Sequence, residues 1–304
     1  VTLDIMMPFW GRFDHFRIAV ESVLAQDSDD WRLTILDDRY PDPEPGEWAR
    51  SIADARVTYL RNDENLRPSR NYTKAAGLAR GEFMVLMGCD DVMLPGYVRR
   101  VGELVATFPD ADILQPGVEV IDGDGRVSRP LPDRVKDWYR FSGRGARQFR
   151  GEQLATSLLR GNWTYFPSLV WRTARLSGGF RTDLDVVQDL AMLMTITRAG
   201  GSLVLDDEVV FQYRRHATSL SAVTGDDGSK FGQEATLFAE ESAACAALGW
   251  SRAARAARIH LSSRLNAATE LPGAILHGTA EGRRNLVHHI LGRTGGPGAG
   301  RIGA

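Results

Sequence analysis

Cysteine is almost absent from this 304-residue chain, with Cys89 and Cys245 the only two. Two thiols cannot build a disulfide framework, and no CxxC pair is present to hold zinc, so a reducing compartment is expected. Lysine is nearly as scarce. Of 37 basic side chains only Lys74, Lys136 and Lys230 are lysine. Arginine suits phosphate recognition, but a compositional bias of the source explains the excess more simply. A surplus of positive charge is also missing: the formal net charge is −2, so there is no global basic field, and nucleic acid is not expected as a partner. No apolar run reaches the roughly 18 residues of a membrane-spanning helix. The chain opens on a strand-like run carrying Asp4 rather than a basic segment and an apolar core, so no signal peptide is expected. The expectation is a cytoplasmic protein, at most peripheral on the inner membrane face.

What is present is an ordinary globular mixture, 43% hydrophobic and 25% charged. At ~150 residues per domain the length suits two domains, or one α/β domain with a helical appendage. Leu3 to Met7 is apolar and ends at Pro8; Phe16, Ala19, Val20, Val23 and Leu24 then recur at the spacing of one helix face. Leu33 to Leu36, Val57 to Leu60 and Phe83 to Met87 read as further buried strands. Between the last two, Pro68 and Gly81 punctuate a helix at its start and just past its end. Another helix follows from Pro95. Alternating strands and helices argue for a mostly parallel sheet with helices on both faces.

After Ile113 the pattern changes. Val118 to Ile121 and the turn at Asp122-Gly123-Asp124-Gly125 suggest an antiparallel addition or hairpin. From Asp133 to Gly151 the chain is polar without periodicity and reads as a long loop. Ser168 to Trp171 and Leu203 to Phe211 look like strands, with a helix from about Val187 to Arg198 between them. Beyond Lys230 the chain turns helical and alanine-rich, and residues 293–304 read as a flexible tail.

Ligands of open α/β sheets sit beyond the carboxyl ends of the strands. There the second strand is followed by Asp37-Asp38 and the fourth by Gly88-Cys89-Asp90-Asp91. Carboxylates beside an apolar sheet need pairing, hydrogen bonds or a metal. A hard cation such as Mg²⁺ or Mn²⁺ takes such oxygens and keeps positions for substrate phosphates. Helix capping and turn formation would also account for these aspartates.

Taken in order, Pro8-Phe9-Trp10-Gly11-Arg12, Leu36-Asp37-Asp38, Gly81-Glu82-Phe83 leading to Cys89-Asp90-Asp91, Gly178-Gly179-Phe180 before Gln188-Asp189, and Tyr213-Arg214-Arg215-His216 with Ser219 resemble the family 2 glycosyltransferases of the GT-A fold. The resemblance covers about residues 1 to 221. It implies a GT-A (nucleotide-diphospho-sugar transferase) α/β domain over 1–221, with a nucleotide-sugar half at 1–115 and an acceptor half at 116–221. A helical extension at 222–292 would follow.

The resemblance further implies inverting transfer of a sugar from a UDP- or dTDP-sugar to a hydroxyl acceptor. Pro8, Trp10, Asp38, Arg70, Asp90 and Arg215 would contact the donor. Asp38 would accept from the N3–H of the base, as a carboxylate can, and Arg70, with Arg67 as its alternate, would serve base or diphosphate. Asp91 and His216 would hold Mn²⁺ or Mg²⁺, although the family's leading aspartate is absent from Gly88-Cys89-Asp90-Asp91. Cys89 is expected to be an inert small residue. Asp189 would be the general base, with Gln188 where relatives carry glutamate, and Asp183 and Asp185 as alternates.

Trp138, Tyr139, Trp163, Tyr165 and Phe166 are aromatic candidates for an acceptor site, equally suited to a core. Arg140, Arg144 and Arg147 are placed to meet a diphosphate or an anionic acceptor. Arg252, Arg255, Arg258, Arg283 and Arg284 sit among apolar residues, as on an amphipathic surface touching anionic lipid, or on helices packed against the catalytic part or another subunit. Two rival functions remain. A nucleotidyltransferase would want a glycine-rich basic loop after the first strand, which Phe9-Trp10-Gly11-Arg12 is not, and a non-catalytic nucleotide-sugar or glycan binder would tolerate the altered motifs. A nicotinamide-dependent enzyme lacks its GxGxxG.

Overall fold

Leu3–Phe9 forms β1, the apolar run whose alternate residues face opposite sides of the sheet. In this computed structural model, which describes residues 1–215, 229–277 and 279–292, Ile5, Met7 and Phe9 join one buried cluster while Met6 joins the other. The first cluster lies under α1 (Phe13–Leu24), α2 (Glu44–Arg50) and α4 (Tyr97–Thr107). The second lies under α3 (Arg67–Leu78), α6 (Gly151–Arg160) and α7 (Gln188–Arg198). A strand covered on both faces must be apolar throughout, as β4 (Phe83–Leu86) is.

β1 pairs in parallel with β2 (Trp31–Asp37) on one side and with β4 on the other, and β2 pairs with β3 (Val57–Arg61). Strand order therefore reverses at β1, which opens a crevice at its carboxyl end. Pro8 lies beyond the β1–β4 pairing, which ends at Met6–Leu86, so its missing N–H leaves no gap in that ladder. At the other end of β1 the buried Asp4 carboxylate accepts from the amides of Arg80 and Gly81 and from Arg32, tying the entry of β4 to β1.

The sheet continues through β8 (Val170–Arg172), β6 (Ile113–Ile121), β9 (Ser202–Arg214) and β5 (Val92–Met93), with β7 (Arg147–Arg150) pairing onto β9. The β4–β8, β8–β6, β9–β5 and β7–β9 pairs are antiparallel, whereas β6–β9 is parallel. Val118 to Ile121 is thus the end of a nine-residue strand, not an antiparallel addition of its own. The Asp122–Gly125 turn does form, but its far arm makes a single bridge, Ile121 to Val127.

The long polar loop expected from Asp133 to Gly151 is corrected. Leu131–Tyr139 is a helix, α5, and Arg147–Arg150 is β7. No apolar periodicity announced α5 because the residues it turns inward include Asp133 and Lys136, which find polar partners.

Among the described residues four further helices follow: α8 (Ser229–Ala247), α9 (Ser251–Ile259), α10 (Leu261–His277) and α11 (Ala280–Ile290). Leu237, Phe238, Ala253, Ala256 and Ala257 from α8 and α9 belong to the same core as Leu154 and Leu158 of α6. Phe231, Ala267, Ala274 and Leu286 form a small separate core among α8, α10 and α11. Residues 293–304, read as a tail, lie outside the described residues.

Candidate active site

The turn Gly88-Cys89-Asp90-Asp91 leaves β4 at the carboxyl edge of the sheet. Asp91 is 1% exposed; one of its carboxylate oxygens, Oδ1, accepts from the amide of Arg214 at 2.8 Å, and the other, Oδ2, is buried and has no hydrogen-bond partner among the described residues. Burial, and then the neighbouring Asp90 carboxylate, push its pKa well above the ordinary carboxylate range. A β-carbon placed on Gly88 would collide with Asp91 Oδ2 and come within 3.0 Å of Asp90 Oδ1. A side chain at Gly88 would thus push both carboxylates out of their present positions over the backbone. An unpartnered buried oxygen beside a second carboxylate is a hard donor set, which fits Mg²⁺ or Mn²⁺.

Cys89 does not compete. Burial and Asp90 push its thiol up to about 12, so it stays protonated and a poor metal ligand. Arg214, itself buried, binds the carbonyls of Asp90, Asp122 and Gly123 and so locks this turn to the end of β9. His216 and Ser219 lie outside the described residues.

After β2 both aspartates are buried and held within the fold. Asp37 accepts from the Tyr40 amide and the Tyr59 hydroxyl. Asp38 accepts from Asn62 Nδ2 at 2.7 Å and from the amides of Leu66 and Arg67 at 2.8 and 3.0 Å. It therefore caps the entry to α3, where Arg67 takes a left-handed φ of 64°. Of about four acceptor directions on a carboxylate three are used, and a base N3–H would be the fourth. Asn62 in turn accepts from Lys74 Nζ at 2.7 Å. Arg70 is exposed on α3. Trp10, 52% exposed after β1, stands edge-on to Tyr40 at 5.4 Å.

Arg215 is gripped by Asp133 of α5 through two bonds of 2.5 and 2.8 Å, and Tyr165 also donates to Asp133. This two-pronged pair uses the guanidinium edge that was expected to meet the donor. Next to it Lys136 donates to the Thr164 carbonyl at 2.9 Å and sits 4.0 Å over the Tyr165 ring. Burial and the charge of Arg215 lower its pKa to about 8.

Asp189 stands in the first turn of α7. It accepts from Asn162 Nδ2 at 2.9 Å and lies in the field of Lys136. Burial raises its pKa above the ordinary range against the pull of these partners. Gln188 is buried, and its amide oxygen has no hydrogen-bond partner among the described residues. The preceding loop is held by α8, whose Gln233 accepts from the amides of Asp185 and Val186. Asp185 accepts from Ser69, and Asp183 pairs with Arg181.

Fields connect the two carboxylate centres. Tyr213 feels Asp90, Asp91, Arg215 and Asp133, while Lys136 feels Arg215, Asp133, Asp189 and Lys230. Asn162, Asp133, Lys136 and Asn62 were not singled out from sequence. The scarcity of lysine was the one available signal: Lys74 joins the Asp38 network, and Lys136 and Lys230 flank Asp189 and Glu234. Of the aromatic candidates, Trp163 is core and Phe166 packs on Tyr72 and Phe180.

Comparison with known proteins bears on this site. The profile described as "Glycosyl transferase family 2" matches residues 4–173. The putative colanic acid biosynthesis glycosyl transferase WcaA of Escherichia coli is 33% identical over 94 residues, 31% of this chain and 34% of that protein. The chain also spans less than half the length of three other curated relatives. Staphylococcus aureus TarS 1-349, solved with UDP-GlcNAc, superposes with a TM-score of 0.69 at 14% identity, over 95% of this chain and 79% of that one. A mannosyltransferase of Pyrobaculum calidifontis, solved with GDP-Man and Mn²⁺, superposes at 0.62 with 16% identity, over 94% and 78%. These likenesses show the GT-A-type fold that the sequence resemblance implied.

Proposed function

The chain belongs to glycosyl transferase family 2, and from that premise we propose that it moves a sugar from a UDP- or dTDP-sugar to a hydroxyl acceptor, with inversion at the anomeric carbon. The observation that carries this reading is the pair of carboxylate centres at one edge of the sheet. Asp90 and Asp91 turn oxygens over Gly88, and Asp189 stands beyond Tyr213 and Arg215 in the field of Lys136. Neighbouring structures hold UDP-GlcNAc in one case and GDP-Man with Mn²⁺ in another, which supports a nucleotide-diphosphate donor and a divalent cation.

Asp91 and Asp90 would hold the cation, which supplies charge neutralisation for the departing diphosphate. His216 is the further ligand proposed from sequence. Pro8, Trp10, Asp38 and Arg70 line the approach to the nucleotide. Arg215 meets the diphosphate only by sharing or leaving Asp133. On the acceptor side the Asp189 carboxylate takes the hydroxyl proton as the oxygen attacks. Its raised pKa makes it a stronger base than an exposed aspartate, and Asn162 fixes its plane. Lys136 stabilises the ionised form of Asp189 before the proton arrives.

A thermal-shift panel of UDP-, dTDP- and GDP-sugars, each with and without Mn²⁺, tests the reading, because a ligand that binds only the folded chain raises its melting temperature. One uridine or thymidine donor should stabilise the protein in a Mn²⁺-dependent way and release its nucleoside diphosphate when a hydroxyl acceptor is supplied. No shift with any donor would reject the proposal. Binding without release across a broad acceptor set would select the non-catalytic reading.

A further inference from the structure

Between α6 and α9 the surface opens into a cavity of about 400 Å³ lined by Tyr139, Arg160, Arg252, Arg255, Ile259 and Leu261. A second hollow of about 270 Å³ adjoins it, shares Tyr139, Arg160 and Arg252, and reaches Trp138. Apolar side chains stand exposed along it: Trp138 is 81% exposed, Ile259 40%, Leu261 52% and, one turn further along α10, Leu265 57%. Exposed Arg160, Arg252 and Arg255 line it, and Arg258, also exposed, follows Arg255 by three residues on α9. Arg252 has one loose pair, with Glu152 at 3.5 Å. Among the described residues Arg160, Arg255 and Arg258 have no ion pair at all.

We propose that this face docks on an anionic lipid bilayer, with Trp138, Ile259, Leu261 and Leu265 entering the interfacial layer and the arginines meeting lipid phosphates. Two independent features select this occupant. Exposed leucine and tryptophan beside a basic cluster gain from an apolar boundary that carries negative charge, and such binding sums buried apolar area with electrostatic attraction. A free phosphate would satisfy the arginines but leave the leucine ridge in water. A second copy of the chain, docked face to face about a two-fold axis, would press the arginine cluster against itself.

The position has a geometric consequence. α5 carries Asp133 and Lys136 at the candidate active site and Trp138 and Tyr139 at this surface. A nine-residue helix is roughly 14 Å long, so the bilayer would lie within that distance of the acceptor side. The inference does not rest on the proposed sugar transfer and is tested without it.

The full chain is sedimented with vesicles of phosphatidylcholine alone and with vesicles that also contain phosphatidylglycerol. It should pellet with the anionic vesicles, release from them as salt rises, and stay in the supernatant when only neutral vesicles are present. Replacing Arg255→Glu together with Arg258→Glu should weaken binding at least tenfold, at roughly fivefold for each cation lost. Leu261→Ser with Leu265→Ser should weaken it at unchanged net charge. All four positions are exposed, and unchanged melting temperatures verify the folds. Failure to bind anionic vesicles, equal binding to neutral ones, or indifference to either pair of substitutions overturns the proposal. So does light scattering that shows a dimer which the leucine variant dissociates, since that would assign the face to self-association.

Discussion

Asn162 donates from Nδ2 to Oδ2 of Asp189 across 2.9 Å, while its own Oδ1 accepts from the Thr164 hydroxyl at 2.7 Å. The second bond fixes which way the amide points, and the first fixes the carboxylate. Asp189→Asn should therefore lower turnover by ~10²–10⁴-fold, the usual worth of a general base, with donor affinity unchanged. Asn162→Ala leaves the carboxylate in place but unguided and should cost roughly tenfold, on the scale of one charge-assisted hydrogen bond. Single-turnover rates alongside donor titrations separate the two effects. A wild-type rate in Asp189→Asn would remove it from the mechanism.

Turnover should depend on pH through two groups of opposite sense. Burial raises the Asp189 pKa, Asn162 and Lys136 oppose that rise, and Glu234 of α8 faces it as a further carboxyl group. Asp189 must be ionised to accept a proton, so activity should climb as pH passes a midpoint above the ordinary carboxylate range. Lys136, at about 8, faces Arg215, Asp133, Asp189 and Lys230. It loses its charge above that pH, and activity should fall there. Lys136→Met should abolish the alkaline limb and move the acid limb upward, because Asp189 loses a cation that favoured its ionised form. A profile of kcat/KM against pH that is the same in both proteins would refute the coupling.

For the metal, Asp91→Asn is the informative change. It keeps the acceptor for the Arg214 amide while removing the charge from the unpartnered oxygen. Calorimetry should find that Mn²⁺ tightens nucleotide binding to the wild-type chain by tenfold or more and does little for the variant. Equal affinities with and without Mn²⁺ in the wild type would exclude Asp91 as a ligand.

A test of the scaffold sits in β6. The register with β9 shifts at Gly117, and a β-carbon there would fall on the carbonyl of Glu208 and 2.8 Å from that of Asp207. Both obstacles are backbone, which cannot rotate aside as a side chain would. Gly117→Ala should destabilise the fold by about 1–3 kcal/mol, the usual cost of overpacking, read as a lower midpoint in urea with an unchanged slope.

Much of this was legible before any coordinates. Strands buried on both faces announce themselves as apolar runs, and the residues that follow them, Asp37-Asp38 and Asp90-Asp91, mark the ligand edge by position alone. Asp189 could be named through the family resemblance alone, as the aspartate of Gln188-Asp189 at the start of a helix. Asp133 with Arg215, and Asn162 with Asp189, could not. Each pair joins segments distant in sequence, separated by 82 and 27 residues, and no local pattern records such a contact. α5 escaped notice for a related reason. Helix periodicity is read from apolar residues, and this helix turns Asp133 and Lys136 inward.

The company kept by the lysines has a practical corollary. Lys74 reaches the Asn62 network and Lys136 and Lys230 share the surroundings of Asp189, so side-chain amines are confined to the neighbourhood of the crevice in a protein whose cationic surface is otherwise guanidinium. An acylating reagent selective for lysine becomes a footprint of occupancy, because the only three lysines of the chain are Lys74, Lys136 and Lys230. A bound donor or acceptor would be read by mass spectrometry as protection at one peptide, with no need to know beforehand which sugar is carried.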